Sequence, residues 1–184
     1  MENLFNFSEL ESVVFGKGPT FCNPIKEDNQ IHVCVNDSIN EISEPDVLVF
    51  NDFETYKKLN PEKIKKVKVI VTPYFLHYEG LKKRFLWSDL KNLMDYKNIW
   101  FPYNLKTSPP VYGYPNFDSA LTSSNTAVEW LVLMGVKKIK TYGIGTKSGY
   151  SNLFVRTEGS YNVDHIRQEI TSRCNLNGVE LQML

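Results

Sequence analysis

The sequence predicts an α/β fold in which a mostly parallel central sheet is flanked by helices. Short apolar runs rich in valine and isoleucine recur through the first part of the chain, as expected for strands buried on both faces. Several of these runs end in small polar residues or glycine, and the carboxyl edge of an open parallel sheet is where ligands bind. Strands alternate with helical segments in the second half, as in β-α-β units.

Length and composition agree with one globular domain spanning residues 1–184. Hydrophobic residues make up 42% and charged residues 23% of the chain, which excludes a disordered or fibrous protein. Aromatic residues, at 13%, favour a packed core together with a pocket that has stacking surfaces. No apolar run is long enough to span a bilayer and no leader-like N-terminus is seen, so we expect a cytoplasmic protein without a transmembrane segment.

The charge balance argues against nucleic acid as a partner. Basic and acidic residues number 21 each, whereas binding to duplex DNA needs a strongly basic face. The lysine-rich run at 63–68 is interpreted as a solvated helix end. Cys22, Cys34 and Cys174 have no metal or redox spacing, and they are expected to be buried thiols in a reducing compartment.

The first half of the chain contains the more clearly predicted strands. A helical segment over 55–66 is interrupted by Pro61. Residues 74–93 show apolar positions on one helical face, which favours a helix or a lid-like insertion, and the insertion is taken to extend over 74–118. Strands are predicted at 11–15, 31–35, 45–50, 67–71 and 98–103.

The second half contains the clearest helix, over 122–134. It begins among hydroxyl and amide residues that favour an N-cap, and it ends at Gly135. A strand over 139–145, a helix over 164–174 and a final strand over 178–184 complete the predicted elements.

A glycine-rich loop follows the first predicted strand. Its sequence is Gly16-Lys17-Gly18-Pro19-Thr20, in which two glycines can adopt positive φ and bring backbone N–H groups close to an anion. The loop lacks the third glycine of the dinucleotide fingerprint and the lysine-hydroxyl order of a Walker loop. A plain chain reversal is the alternative interpretation.

Other polar segments are expected to meet this loop at the same edge of the sheet. Parallel strands place their carboxyl ends together, and the N-terminus of the 122–134 helix would add N–H donors and a positive dipole end. This arrangement predicts a nucleotide or sugar-nucleotide site, although simple helix capping is an equal alternative for the hydroxyl residues. The predicted binding residues beyond the loop are Asn36, Asp37, Ser38, Asp52, Thr122, Ser123, Ser124, Asn125, Gly143 and Gly145.

The order of these motifs resembles that of the bacterial lipooligosaccharide sialyltransferases and the related hydroxymethylpterin diphosphokinase-like Rossmann proteins. The resemblance implies a small Rossmann-like glycosyltransferase that uses a nucleotide-linked sugar donor, most often CMP-linked. It implies that the Gly16 to Thr20 loop cradles the nucleotide phosphates and that Asn36 contacts the donor. Ser123, Ser124 and Asn125 would complete the nucleotide pocket.

The resemblance also implies a histidine general base near the C-terminal helix. His165 is the candidate, with Asp164 to orient the imidazole and Tyr150 and Tyr161 near the leaving phosphate. An imidazole suits this role because it titrates near neutral pH and an attacking hydroxyl must lose a proton. The alternative is that Asp164 and His165 form the first turn of a surface helix.

Two other functions are weighed beside the glycosyltransferase. The resembled enzymes usually carry an aspartate where this chain has Gly145, which favours a non-catalytic nucleotide-binding or sequestering protein. Pyrophosphoryl transfer with Mg²⁺ is the third function, with Asp37 and Asp52 as the carboxylates placed to hold the metal. The sequence leaves open the acceptor and a homo-oligomeric state.

Overall fold

The computed structural model describes residues 6–78, 83–93, 97–105, 109–117, 122–145, 151 and 163–184. Within these ranges, no helix is long and apolar enough to cross a membrane. The described strands are β1 (Glu11–Phe15), β2 (Gln30–Val35), β3 (Val47–Val49), β4 (Val69–Pro73), β5 (Phe75–Tyr78), β6 (Lys83–Leu86), β7 (Ile99–Leu105), β8 (Asn116–Phe117), β9 (Lys138–Tyr142) and β10 (Glu180–Met183). The described helices are α1 (Phe53–Tyr56), α2 (Pro61–Ile64), α3 (Trp87–Leu93), α4 (Ser123–Leu133) and α5 (Val163–Leu176), and a 3₁₀ helix spans Asn36–Asn40.

Eight strands form one sheet in the order β10-β9-β1-β2-β3-β4-β7-β8. Every pair of neighbours in this sheet is parallel. The chain starts in the middle, runs outward to β8, and then returns to place β9 on the other side of β1. The point at which the strand order reverses therefore lies between β1 and β9. This architecture confirms the predicted α/β fold with a parallel sheet flanked by helices.

Helices and loops cover both faces of the sheet, which explains the continuous apolar runs of the strands. Every residue of β2 and β3 is buried. On one face, α4 and α5 pack their apolar residues against alternate strand positions such as Val14, Val33 and Val49. On the other face, residues such as Phe15 and Ile70 pack against the 3₁₀ helix, the short helices and the β5–β6 hairpin.

Several predicted helix boundaries are confirmed together with their local causes. Thr122 is the N-cap of α4, and its hydroxyl accepts a hydrogen bond from the Asn125 N–H. Gly135 follows the helix with a φ of 82°, the left-handed conformation in which many helices end. Pro61 occupies the first turn of α2, where its missing N–H costs nothing, so the predicted segment over 55–66 is two short helices.

The predicted helix over 74–93 and the predicted end of β4 were wrong in part. Lys83–Leu86 is a strand that pairs antiparallel with Phe75–Tyr78, and a helix begins only at Trp87. Strand β4 continues through Pro73, whose position at the strand end needs no donated N–H. Within the segment predicted as an insertion, 74–118, the hairpin and α3 lie outside the sheet, whereas β7 and β8 are strands of it.

Candidate functional site

Three of the predicted segments meet at the carboxyl edge of the sheet. Phe15 at the end of β1 is in register with Tyr142 of β9 on one side and with Cys34 of β2 on the other. The loops that follow these strands therefore leave the sheet side by side, as the sequence predicted. In open α/β sheets this edge, at the reversal of strand order, is where ligands bind.

The glycine loop and the loop after β9 are joined by hydrogen bonds. Gly16 donates its N–H to the carbonyl of Tyr142 at 2.8 Å, and Gly18 donates to the carbonyl of Gly143 at 2.8 Å. The Gly143 N–H in turn donates to the Thr20 hydroxyl at 2.9 Å. These three N–H groups are therefore engaged within the protein, and an anion would have to compete for them.

Close approach of two backbones explains the glycines of this loop. Neither Gly16 nor Gly18 has a positive φ, so the predicted conformational reason is wrong for both. A Cβ at Gly16 would lie 2.5 Å from the carbonyl oxygen of Gly143, and one at Gly18 would lie 2.8 Å from the same atom. The left-handed backbone conformation occurs instead in the loop after β9, at Gly143, whose φ is 68°.

The end of β2 is tied to the glycine loop by two side chains. The Lys17 ammonium lies 2.8 Å from Asp37 Oδ1, and the two side chains are only 14% and 17% exposed. The Ser38 hydroxyl donates to the carbonyl of Phe15 at 2.8 Å and is fully buried. Ser38 is thus a structural link between two strand ends, while Lys17 and Asp37 neutralise each other at the rim of the edge.

Asn36 is the most unusual residue at this edge. Its φ is 56°, and it is the one non-glycine residue in the described part of the chain with a positive φ. Such a conformation costs about 1 kcal/mol or more and persists where the surroundings impose it, often at functional sites. Its side-chain Oδ1 is buried without a hydrogen-bond partner. A strained residue with an unused acceptor, beside the glycine loop, is a strong candidate for ligand contact.

A second polar cluster lies further along the edge and was not predicted. Tyr103, buried in β7, donates its hydroxyl hydrogen bond to Asn51 Oδ1 at 2.6 Å. Asn51 Nδ2 donates to Thr126 Oγ1 in the first turns of α4 at 3.2 Å. Burial raises the pKa of Tyr103, which keeps its hydroxyl protonated as a donor. We name Asn51, Tyr103 and Thr126 the Asn51 cluster. One indication of it is visible in the sequence, the polar residue Asn51 directly after a predicted strand.

The first turn of α4 contributes to the Asn51 cluster, because Thr126 accepts the hydrogen bond from Asn51 Nδ2. Thr122 caps the helix and also donates to Asn125 Oδ1 at 2.6 Å, while Ser123 and Asn125 are buried and Ser124 is half-buried. Asp52 caps α1 by accepting the Thr55 N–H at 2.7 Å. Capping, the alternative interpretation for the hydroxyl residues, therefore describes the contacts of Thr122, and Asp52 is a helix cap as well.

Asp164 and His165 lie in the first turn of α5, and both are exposed. Asp164 also lines an open groove of about 700 Å³ along the outer face of this helix. The two predicted tyrosines, Tyr150 and Tyr161, lie outside the described residues. The candidate base, His165, thus lies on the exposed first turn of α5, the next described element after β9 in the chain.

Gly145, where the resembled enzymes usually carry an aspartate, has left-handed backbone. Gly145 has a φ of 69°, and a Cβ there would lie 3.3 Å from Met183 Sδ and 3.5 Å from Arg167 Cβ. An aspartate at this place would be strained by the left-handed backbone, and its Cβ would be in contact with Met183 of β10 and Arg167 of α5. The same packing orients the α5 N-terminal turns next to the loop after β9.

Metal ligands do not converge in the described ranges, where no three His, Cys, Asp or Glu side chains come together. Asp37 pairs with Lys17 and Asp52 caps a helix, so the two carboxylates considered for Mg²⁺ hold other partners. Burial raises the pKa of Cys34, which keeps this thiol protonated and unreactive.

The fold and the edge together define a Rossmann-like, doubly wound α/β protein whose candidate site lies at the strand-order reversal. No family model, curated protein or solved structure matches the chain.

Proposed function

We propose that the protein binds a nucleotide at the crevice formed by the loops after β9, β1 and β2, as a small glycosyltransferase that uses a nucleotide-linked sugar donor. The observation that supports this most is Asn36, whose backbone is strained and whose buried Oδ1 has no hydrogen-bond partner. An unsatisfied buried acceptor costs about 1 to 3 kcal/mol, and a ligand donor would recover it. A ribose hydroxyl or the exocyclic amine of a base has the required N–H or O–H group.

The Lys17 ammonium can bind a ligand phosphate only if it releases the Asp37 carboxylate. Lys17 already pairs with Asp37, so the ligand phosphate takes the place of the carboxylate beside the ammonium. The Asn51 cluster lies beside this crevice, since β3 is the next strand after β2 and adjacent strands are about 4.8 Å apart.

His165 would serve as the general base of the transfer. An acceptor hydroxyl oxygen attacks the anomeric carbon, the bond from that carbon to the donor phosphate oxygen breaks, and the hydroxyl proton passes to the imidazole. The nucleotide leaves with the electron pair of the broken bond. The exposed position of His165 at the start of α5 gives it access to an acceptor.

A second candidate function is binding without transfer. It is favoured by Gly145, because this residue has no acidic side chain and its left-handed backbone disfavours one. Such a protein would hold a nucleotide and release it unchanged.

Thermal unfolding in the presence of CMP, UDP, GDP and ADP, and of their sugar conjugates, tests the binding step. We expect at least one ligand to raise the Tm, and Asn36→Gly to abolish that shift without lowering the Tm of the free protein, because glycine relieves the strained φ. Asn177→Gly, in an exposed turn at the opposite end of the molecule, is the control and should keep the shift. A wild-type protein that no nucleotide stabilises would refute the proposal.

Product analysis of the same mixtures separates the two functions. Release of free nucleotide from its sugar conjugate, lost in His165→Ala while the Tm shift remains, supports the transferase. A Tm shift with no release in the wild-type protein supports binding alone.

A further inference from the structure

We propose that the outer edge of β10 and the adjoining face of α5 form one interaction surface, on which a second copy of the chain binds with two-fold symmetry. In this dimer β10 pairs antiparallel with β10 of the second copy, and the two α5 helices lie side by side. The surface lies at the end of the sheet, whereas the proposed nucleotide crevice lies at the reversal of strand order, so dimerisation does not depend on nucleotide binding.

Strand β10 is the end strand of the sheet, and no other described strand pairs with its outer edge. Glu180 donates its N–H to the Lys137 carbonyl at 2.9 Å, so the backbone groups of this residue point toward β9. Because these groups alternate in direction along a strand, the N–H and C=O groups of Leu181 and Met183 point outward. Edges that stay unpaired in natural proteins are commonly blocked by lysine, proline or a bulge, and β10 contains neither lysine nor proline. Its outer edge is therefore open to another strand.

One face of α5 adjoins this edge. Arg173 points toward α4, because its guanidinium lies 3.1 Å from Glu129 Oε1, and α4 packs against β1, β2 and β3. Thr171 and Asn175 are two residues before and after Arg173, about 200° around the helix axis, so they face away from α4 and toward the side of β10. An open groove of about 700 Å³ follows this face, and it is lined by Asp164, Arg167, Gln168, Thr171, Ser172, Asn175 and Leu176.

The strand edge and the helix face form one continuous surface. Arg167 Cβ in the groove and Met183 Sδ of β10 lie 3.5 Å and 3.3 Å from the same point, the Cβ position of Gly145. At the other end of the groove, the side chain of Leu176 is 81% exposed. A partner that covers both parts must present a strand and a helix in the same relation, and a second copy does so by its own fold.

The direction of the outward groups favours one register. When Leu181 lies opposite Met183 of the second copy, and Met183 opposite Leu181, each pair exchanges both N–H···O bonds. The two-fold axis then passes beside Gln182, which faces Gln182 of the second copy with the Cα atoms about 4.5 Å apart. A register centred on Leu181 would need the N–H of Val179, which already donates to the Cys174 carbonyl at 2.9 Å.

The same axis brings the two helices to packing distance. Ile170 of α5 is buried in the same apolar cluster as Ile139 of β9 and Val179, the residue before β10. A helix centred above β9 and β10 lies about 5 Å from the axis, since neighbouring strands are about 4.8 Å apart. The two antiparallel helices are then about 10 Å apart, and the small side chains of Thr171 and Ser172 permit this approach. A formal net charge of zero does not oppose the association of two copies.

Sedimentation velocity of the full chain over a range of concentrations tests the dimer. We expect a monomer–dimer equilibrium. Gln182→Glu should raise the dissociation constant about fivefold, because it places like charges opposite each other on the axis. Within one protomer the new carboxylate lies beside Lys140 of β9, which favours the folded chain. Asn29→Asp, the same chemical change in an exposed turn before β2, is the control and should leave the equilibrium unchanged.

Disulfide formation tests the register, in a Cys22→Ser background because Cys22 is exposed. Gln182→Cys should give a covalent dimer under mild oxidation, since Cα atoms about 4.5 Å apart lie within the range of disulfides. Glu180→Cys is the matched control, because both residues are exposed on the same face of β10. In the proposed register Glu180 lies about 13 Å along the strands from Glu180 of the second copy, so this variant should not cross-link.

A protein that stays monomeric at every concentration overturns the proposal. A dimer whose Gln182→Cys variant does not cross-link, or cross-links no faster than Glu180→Cys, also overturns it, because the protomers then meet in another arrangement. Dimerisation weakened by Gln182→Glu, together with cross-linking specific to position 182, supports the β10 and α5 surface.

Discussion

Replacing Gly16 by alanine tests whether the glycine loop is shaped by close packing. Gly16 does not have a positive φ, and alanine at such a position normally stabilises a protein by about 0.4 to 1 kcal/mol, because the unfolded chain loses freedom. Here the added Cβ would lie 2.5 Å from the Gly143 carbonyl oxygen and 2.5 Å from Ile144 Cγ1. Real Cβ contacts are not that short, so the two loops must separate.

The expected cost follows from that separation. Inserting one methyl group into a packed interface costs about 1 to 3 kcal/mol, and the hydrogen bond from Gly16 to Tyr142 weakens at the same time. We therefore expect Gly16→Ala to lower the free energy of unfolding by about 1 to 3 kcal/mol. The sign alone is informative, because the unfolded-state effect and the packing effect act in opposite directions.

Urea unfolding followed by tryptophan fluorescence measures this difference. Gly178→Ala is the control, since no atom lies within 4 Å of its Cβ position and its φ of 63° adds only a conformational cost of about 1 kcal/mol. If Gly16→Ala is as stable as the wild-type protein or more stable, the explanation that close packing of the two loops requires glycine at position 16 is refuted.

Three further predictions concern buried or partly buried groups. Burial, with a smaller contribution from nearby Lys26, lowers the pKa of His32 to about 4, so the unfolded chain takes up a proton between pH 6.5 and 4 that the native state does not. Stability should fall by about 3 kcal/mol across that range, and His32→Leu should remove this component of the pH profile, whereas an unchanged profile contradicts the buried neutral imidazole. Tyr103→Phe should cost about 1 to 2 kcal/mol in urea unfolding because Asn51 loses its donor at 2.6 Å, and a neutral effect would argue against the cluster. A double-mutant cycle on Lys17 and Asp37 should give a coupling of about 1 kcal/mol, more than the exposed pair between β9 and β10 gives; equal couplings would show that the partial burial does not matter.

Much of the architecture follows from local sequence patterns. The apolar run at 31–35 and the capped helix after Thr122 are explained by burial on two faces and by a hydroxyl N-cap, and both are determined by residues close in sequence. The meeting of the three loops could also be predicted, because parallel strands place their carboxyl ends at one edge. Nucleotide binding and sugar transfer remain predictions.

Contacts between distant segments decided what local patterns could not. The sequence by itself determined that glycines follow β1, but only the tertiary structure showed that Gly16 is required by Gly143, which is far along the chain. The same holds for Tyr103, whose buried hydroxyl meets Asn51, and for Asn104, which fixes a loop ten residues away. Sequence periodicity reports which face of an element is buried; it carries no information about which atom of another element will lie there, because that depends on how the whole sheet is ordered.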